Sequence, residues 1–214
     1  DGPMSRGLGD VYKRQVNMTK SFFTSSSLLK EERKLALLLI LATLPIVIFG
    51  FLASDLVQLN RANISSIAWM NLIFAGLLLL AYKLNPNNKD LIQLTVLGAL
   101  FIGLFQVFAL LPGASRSGTA MTAALFIGLN LRDASKFSFM LAIPTILGAL
   151  VFLVLDLMSS EQIINVGSLL VGFITSMIFA FLTIKYFLAF VERLGMYPFV
   201  FYRIGLGVIL LMII

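Results

Sequence analysis

Of 214 residues, 59% are hydrophobic and 12% charged, with a mean hydropathy of +1.00, against an apolar share of about 45–50% in an ordinary soluble domain. A water-soluble globule is excluded. The net charge of +6 does not argue for nucleic acid, because seven of the sixteen basic residues lie in the first 34 positions and most others flank apolar runs, the distribution that orients membrane helices.

Residues 1–15 (DGPMSRGLGDVYKRQ) are polar and glycine-rich with no apolar core, so they are not a signal peptide; they read as a non-native leader, and a natural protein longer at its N-terminus is expected. Residues 16–34 form a polar, cytoplasmic segment that ends in Lys30-Glu31-Glu32-Arg33-Lys34. Spans are predicted over about 35–53, with Pro45 and Gly50 inside, and about 64–84, each long enough to cross a hydrocarbon core of about 30 Å. The connection carrying Asp55 and Arg61 is placed outside, and the one carrying Lys83, Lys89 and Asp90 inside.

The next apolar run, about 91–111, stops at Leu111-Pro112-Gly113, and a second, shorter one leads to Arg132 and Lys136. Basic residues at both ends favour a re-entrant helix-loop-helix hairpin over about 91–131, entering and leaving on the cytoplasmic side; a full span followed by an outer loop is the alternative. Three further spans are predicted, about 137–157, 163–185 and 197–214. The fold class is all-α and polytopic, a helical bundle containing one broken hairpin. Leu41-Ala42-Thr43-Leu44-Pro45 echoes Leu141-Ala142-Ile143-Pro144, a hint of duplication.

Irregular backbone at membrane depth survives only inside protein or beside a water-filled cavity, so the break at Pro112 to Thr119 is the candidate site. Gly113 and Gly118 let backbone N–H groups approach an anion, Ser115, Ser117 and Thr119 add hydroxyls, and Arg116 can grip phosphate with two parallel bonds. A helix starting near Gly118 would point its positive end at the same place. The competing reading is tight packing by small residues with Arg116 reaching to an interface, but an arginine between two apolar runs marks function by default. Gln106, two helical turns before Gly113, either lines the same cavity or bonds to a neighbouring helix. Arg203, beside Tyr202 near the start of the last span, is expected to anchor at the membrane interface.

These residues also resemble a known family. Leu111-Pro112-Gly113-Ala114-Ser115-Arg116-Ser117-Gly118, with Phe105-Gln106, Phe126-Ile127-Gly128-Leu129, Ala134-Ser135, Phe137-Ser138-Phe139 and Ile143-Pro144, is similar to the second signature region of the undecaprenyl-diphosphate phosphatase, or bacitracin-resistance, family. The likeness extends more loosely to Pro45-Ile46-Val47-Ile48-Phe49-Gly50, Ile184-Lys185, Pro198-Phe199 and Tyr202-Arg203. It implies a multi-pass enzyme of the bacterial inner membrane that converts undecaprenyl diphosphate to the monophosphate on the outer side, recycling the lipid carrier of peptidoglycan synthesis. The implied fold is an inverted repeat with two re-entrant hairpins, of which residues 91–131 would be the second. Arg116 would then bind the diphosphate and stabilise charge on the transferred phosphoryl group, with Gly113, Ser115, Ser117, Gly118 and Thr119 around it.

Two departures stand out. Thr119 directly follows Gly118, and Ala120 takes the place where the family pattern has Thr. The family's first signature, an E-x-x-x-E pair followed by P-x-S-S-x-G-H, is not present, and the chain has no His and no Cys. The acidic ligands for the divalent cation, Mg or Ca, that the resemblance implies are therefore expected in a missing N-terminal part, and the chain reads as the C-terminal three-quarters of such an enzyme, inactive alone. Its partners are expected to be a polyprenyl diphosphate lipid and the bilayer, with no nucleic acid; association of two copies rests on the resemblance alone. The alternative function is a transporter or flippase of an anionic lipid or solute, which broken helices also serve.

Overall fold

A computed structural model describes residues 14–21, 29–60, 62–159 and 165–214. The first thirteen residues of the expected leader, part of the cytoplasmic segment, Arg61 and Glu161 lie outside them. In chain order the elements are α1 (14–21), α2 (Lys30–Leu52), α3 (Ser54–Asn60), α4 (Ile64–Leu84), α5 (Val96–Gln106), α6 (Arg116–Phe126), α7 (Leu131–Ser159), α8 (Val166–Leu194) and α9 (Tyr197–Ile213). No named strand occurs among the described residues, as an apolar chain that must satisfy its own backbone requires. The stretch expected as an outer loop after the first span is in part the short helix α3.

Four helices, α2, α4, α7 and α8, are long and apolar enough to cross a membrane. Two of them start well before their charge-free stretches: α2 takes in Lys30 to Lys34, and α7 takes in Arg132, Asp133 and Lys136. A helix follows its backbone hydrogen bonds and runs past the point where the side chains become polar. Asn63 and Asn165 cap α4 and α8 by accepting from the amides of Ser66 and Ser168 at 3.0 and 3.1 Å.

The core lies among α2, α4, α5, α6 and α7, with Leu78, Ile102, Met121, Leu125 and Phe137 fully buried. α4 packs on α9, and α5 packs on both α2 and α6. α2 and α7 run side by side in the same direction, Gly148 facing Val47 and Phe51 stacking on Phe152 at 5.7 Å. Pro45 and Pro144 sit in these two helices. The sequence echo thus joins parallel helices and does not by itself mark an inverted pair, whose members run oppositely.

Charged groups gather at one end. Arg132 pairs with Glu192 at 2.7 Å, Lys34 donates to the carbonyl of Ile92 at 3.1 Å, and the rings of Tyr82 and Tyr197 meet edge to face. Both ends of the segment 91–131 are at this level. Lys89 N donates to the carbonyl of Gly128, Asn130 N donates back to the carbonyl of Lys89, and the amide of Leu91 donates to Asp133. Between them stand α5, continued by a tight turn over Val107–Leu110, and α6. These arms are about 24 and 16 Å long, both short of a bilayer core. The backbone is a helix-loop-helix hairpin whose ends meet.

Candidate functional site: the broken hairpin and its arginines

The tip of the hairpin is the loop 111–115, and three local features shape it. Gly113 has φ +94°, and a Cβ there would stand 2.2 Å from the carbonyl oxygen of Ile67; only glycine lets the loop lie directly on the α4 backbone. Ser115 also has positive φ, +66°, a conformation that costs a non-glycine residue of order 1–3 kcal/mol and collects at functional sites. In that conformation its Oγ caps α6, accepting from the amide of Gly118 at 3.3 Å.

A helix leaves its first amides without intrahelical partners. With Gly118 N met by Ser115, the amides of Arg116 and Ser117 form no hydrogen bond among the described residues. Ser115, Arg116 and Ser117 are each half-buried and stand together at this helix start. Arg116 is steadied through one corner, Nη1 donating to the carbonyl of Ala142 on α7 at 3.2 Å. Ser138 Oγ, one turn earlier on α7, donates to the carbonyl of Ser117 at 2.9 Å, so the same helix also fastens the first turn of α6. The assembly is a donor-rich, positively charged pole with no carboxylate in it, suited to an oxyanion.

The remaining sequence-derived candidates are placed differently. Thr119 is fully buried, and its hydroxyl donates to the carbonyl of Arg116 at 2.9 Å. Gly118 is buried against Arg203. Gln106 is 1% exposed and bridges α5 to α7, its Nε2 lying 3.4 Å from Thr145 Oγ1; of the two readings left open, the interhelical bond is what the fold forms. Two open grooves at the charged end, one lined by Leu35, Leu38 and Leu91 and the other by Thr95, Phe101 and Phe126, do not include the loop.

The expectation for Arg203 is overturned. It is only 3% exposed, with Nε donating to Asn71 Oδ1 at 2.7 Å and Nη2 to the carbonyls of Gly113 and Ala114 at 2.8 and 3.2 Å. A long side chain near a helix end snorkels only if nothing polar lies inward. Here two loop carbonyls and the amide of Asn71 do, and they draw it into the bundle. Asn71 was passed over in the sequence, although a lone Asn within an apolar helix is the signal that finds it.

A hard divalent cation does not fit these residues. Among the described residues no three His, Cys, Asp or Glu could hold a metal ion, and the loop offers a guanidinium, hydroxyls and amides, where such a cation takes several oxygen ligands, carboxylates foremost.

The family model described as bacitracin resistance protein BacA matches residues 10–209, opening within the stretch read as a leader. The undecaprenyl-diphosphatase of Alcanivorax borkumensis is 44% identical over 183 residues, covering 86% of this chain and 69% of that protein. With the glycine-and-serine loop at the start of a short helix, these matches make the chain a member of the BacA bacitracin-resistance family.

Proposed function

We propose that the chain is a membrane phosphoanhydride hydrolase that converts undecaprenyl diphosphate to undecaprenyl phosphate, and that the hairpin tip is where it binds the diphosphate. The observation that carries this reading is the convergence of Arg116, two hydroxyls and two free amides at the start of α6, in a chain closely similar to an undecaprenyl-diphosphatase. In the reaction, water attacks the terminal phosphorus, the bond from that phosphorus to the bridging oxygen breaks, and inorganic phosphate leaves the lipid monophosphate. Negative charge builds on the phosphoryl oxygens and the bridging oxygen. Arg116, fixed by Ala142 on one side, presents its remaining N–H groups to that charge, and the first turn of α6 adds dipoles oriented beforehand.

The base that would take a proton from the attacking water, and the acids that would hold any divalent cation, belong on this reading to the part of the family fold that the match leaves uncovered, the relative being longer than the aligned region. The hairpin is proposed to be re-entrant, because neither arm reaches across a bilayer. Its tip rests on Ile67, about 25 Å along α4 from the charged end. With that end cytoplasmic by its basic residues, the tip opens toward the outer side of the inner membrane.

The test presents undecaprenyl diphosphate to the 214-residue chain in lipid nanodiscs and reads binding and phosphate release together. Arg116→Ala is expected to abolish measurable binding by this chain, and the equivalent change in a full-length relative is expected to lower phosphate release about a hundredfold. Equal binding by wild type and variant, or equal turnover by the two full-length proteins, overturns the assignment. Passage of the intact diphosphate lipid across a vesicle bilayer, without phosphate release, would turn the reading to a flippase.

A further inference from the structure

Arg203 has a feature that holding the loop does not explain. Its partners are all neutral, the Asn71 amide and the carbonyls of Gly113 and Ala114, and no carboxylate pairs with it among the described residues. A buried charge is ordinarily paired. Asn71 is itself fixed, its Nδ2 donating to the carbonyl of Arg203 at 2.7 Å, so that Oδ1 faces Nε. The third corner of the guanidinium, Nη1, is buried and without a hydrogen-bond partner among the described residues. It lies directly beneath the first turn of α6, 2.9 Å from where a Cβ on Gly118 would stand.

We propose that Arg203 is a positioning residue for the diphosphate: Asn71 and the two loop carbonyls hold its charge under the start of α6, and the bound diphosphate is the anion that balances it. The inference rests on the functional reading above. Nη1 has no open path to a ligand, so Arg203 acts through one helical turn by its field, which the low-dielectric surroundings leave strong. It also fixes which way the loop faces. Two carbonyls are turned back onto Arg203, leaving the donor side of the loop toward Arg116 and the substrate. A side chain on Gly118 would push Nη1 out of this place.

Charge and scaffold can be separated in the 214-residue chain in nanodiscs, with undecaprenyl diphosphate and undecaprenyl phosphate as probes. Asn71→Asp keeps an acceptor for Nε, gives up the Nδ2 bond to the carbonyl of Arg203, and sets a carboxylate beside the guanidinium, an ion pair that offsets the lost bond in stability. Its diphosphate affinity is expected to fall at least about tenfold, its monophosphate affinity less, with no drop in thermal unfolding midpoint. Arg203→Lys, which keeps the charge, is expected to bind at least about fivefold better than Arg203→Met. Asn71→Asp binding like wild type, or Lys and Met variants binding equally, overturns the proposal and leaves Arg203 a strut. Should wild type fail to bind, or Arg116→Ala bind like wild type, the functional reading falls instead.

Discussion

The helices around the loop and the helix α8 are built from the same apolar residues, yet their surroundings are opposite. In α2, 44% of the membrane-length window is buried against the rest of the bundle, and in α8 none is. Buried polar groups with partners on other segments collect on the packed side: Asn71 on α4, Gln106 on α5, Ser138 on α7, Arg203 on α9. On α8 a polar residue such as Thr175 folds back on its own helix, donating to the carbonyl of Val171 at 2.8 Å. Hydropathy therefore marks which segments suit a bilayer, and buried polar atoms with distant partners mark which of those segments build a site.

The contrast can be broken most sharply at Gly113. Gly113→Ala adds left-handed strain of roughly 1–2 kcal/mol and drives a Cβ onto the Ile67 carbonyl, an overlap costing a further 1–3 kcal/mol or so. Loss of about 3 kcal/mol is expected, seen as a collapsed unfolding midpoint in detergent; an unchanged midpoint would mean that the loop is not seated on α4. Next comes Arg116→Ala. The expected hundredfold loss of phosphate release corresponds to about 2.7 kcal/mol, and because Arg116 is half-buried with one carbonyl partner, stability should hardly move. A large fall in stability would reassign Arg116 from ligand binding to the scaffold.

Smaller effects sharpen the picture. Gln106→Leu removes one interhelical bond, and Thr145 keeps its bond to the carbonyl of Leu141, so a loss of about 1 kcal/mol or less is expected by thermal unfolding. Defective diphosphate binding in that variant, at full stability, would return Gln106 to the site. Smallest of all, Phe179→Leu on α8, at a residue 69% exposed, should stay within about 0.5 kcal/mol. A loss well beyond that would show that α8 packs against another part of the protein or a second copy.

Much of the candidate site's local geometry was legible because its polar residues are concentrated in a few adjacent positions. An arginine flanked by serines and glycines within apolar sequence has few structural explanations, and Pro112-Gly113 marks the break that brings it to a helix start. Thr119 and Gln106 were legible only as polar residues near the loop. Whether a hydroxyl or an amide faces a cavity or a neighbour depends on a rotation of one residue around the helix, about 100°, and on what packs there. Arg203 was misread because its position near the start of the last helix fits snorkelling equally well. What decides between interface and interior is the presence of two loop carbonyls 89 and 90 residues away in sequence.

The sequence by itself determined that the chain is helical and membrane-spanning, since runs of about 20 residues without charge admit only helices whose backbone satisfies itself. It determined as well where the chain breaks and which donors gather at the break, since Gly, Ser and Arg carry those properties wherever they sit. Only the tertiary structure decided that the two ends of the hairpin meet, that α4 and α9 supply Asn71 and Arg203 from 132 residues apart, and that Thr119 and Gln106 turn inward. These outcomes rest on which helix packs beside which, and packing is set by shape and partner atoms at contacts between residues far apart in the chain.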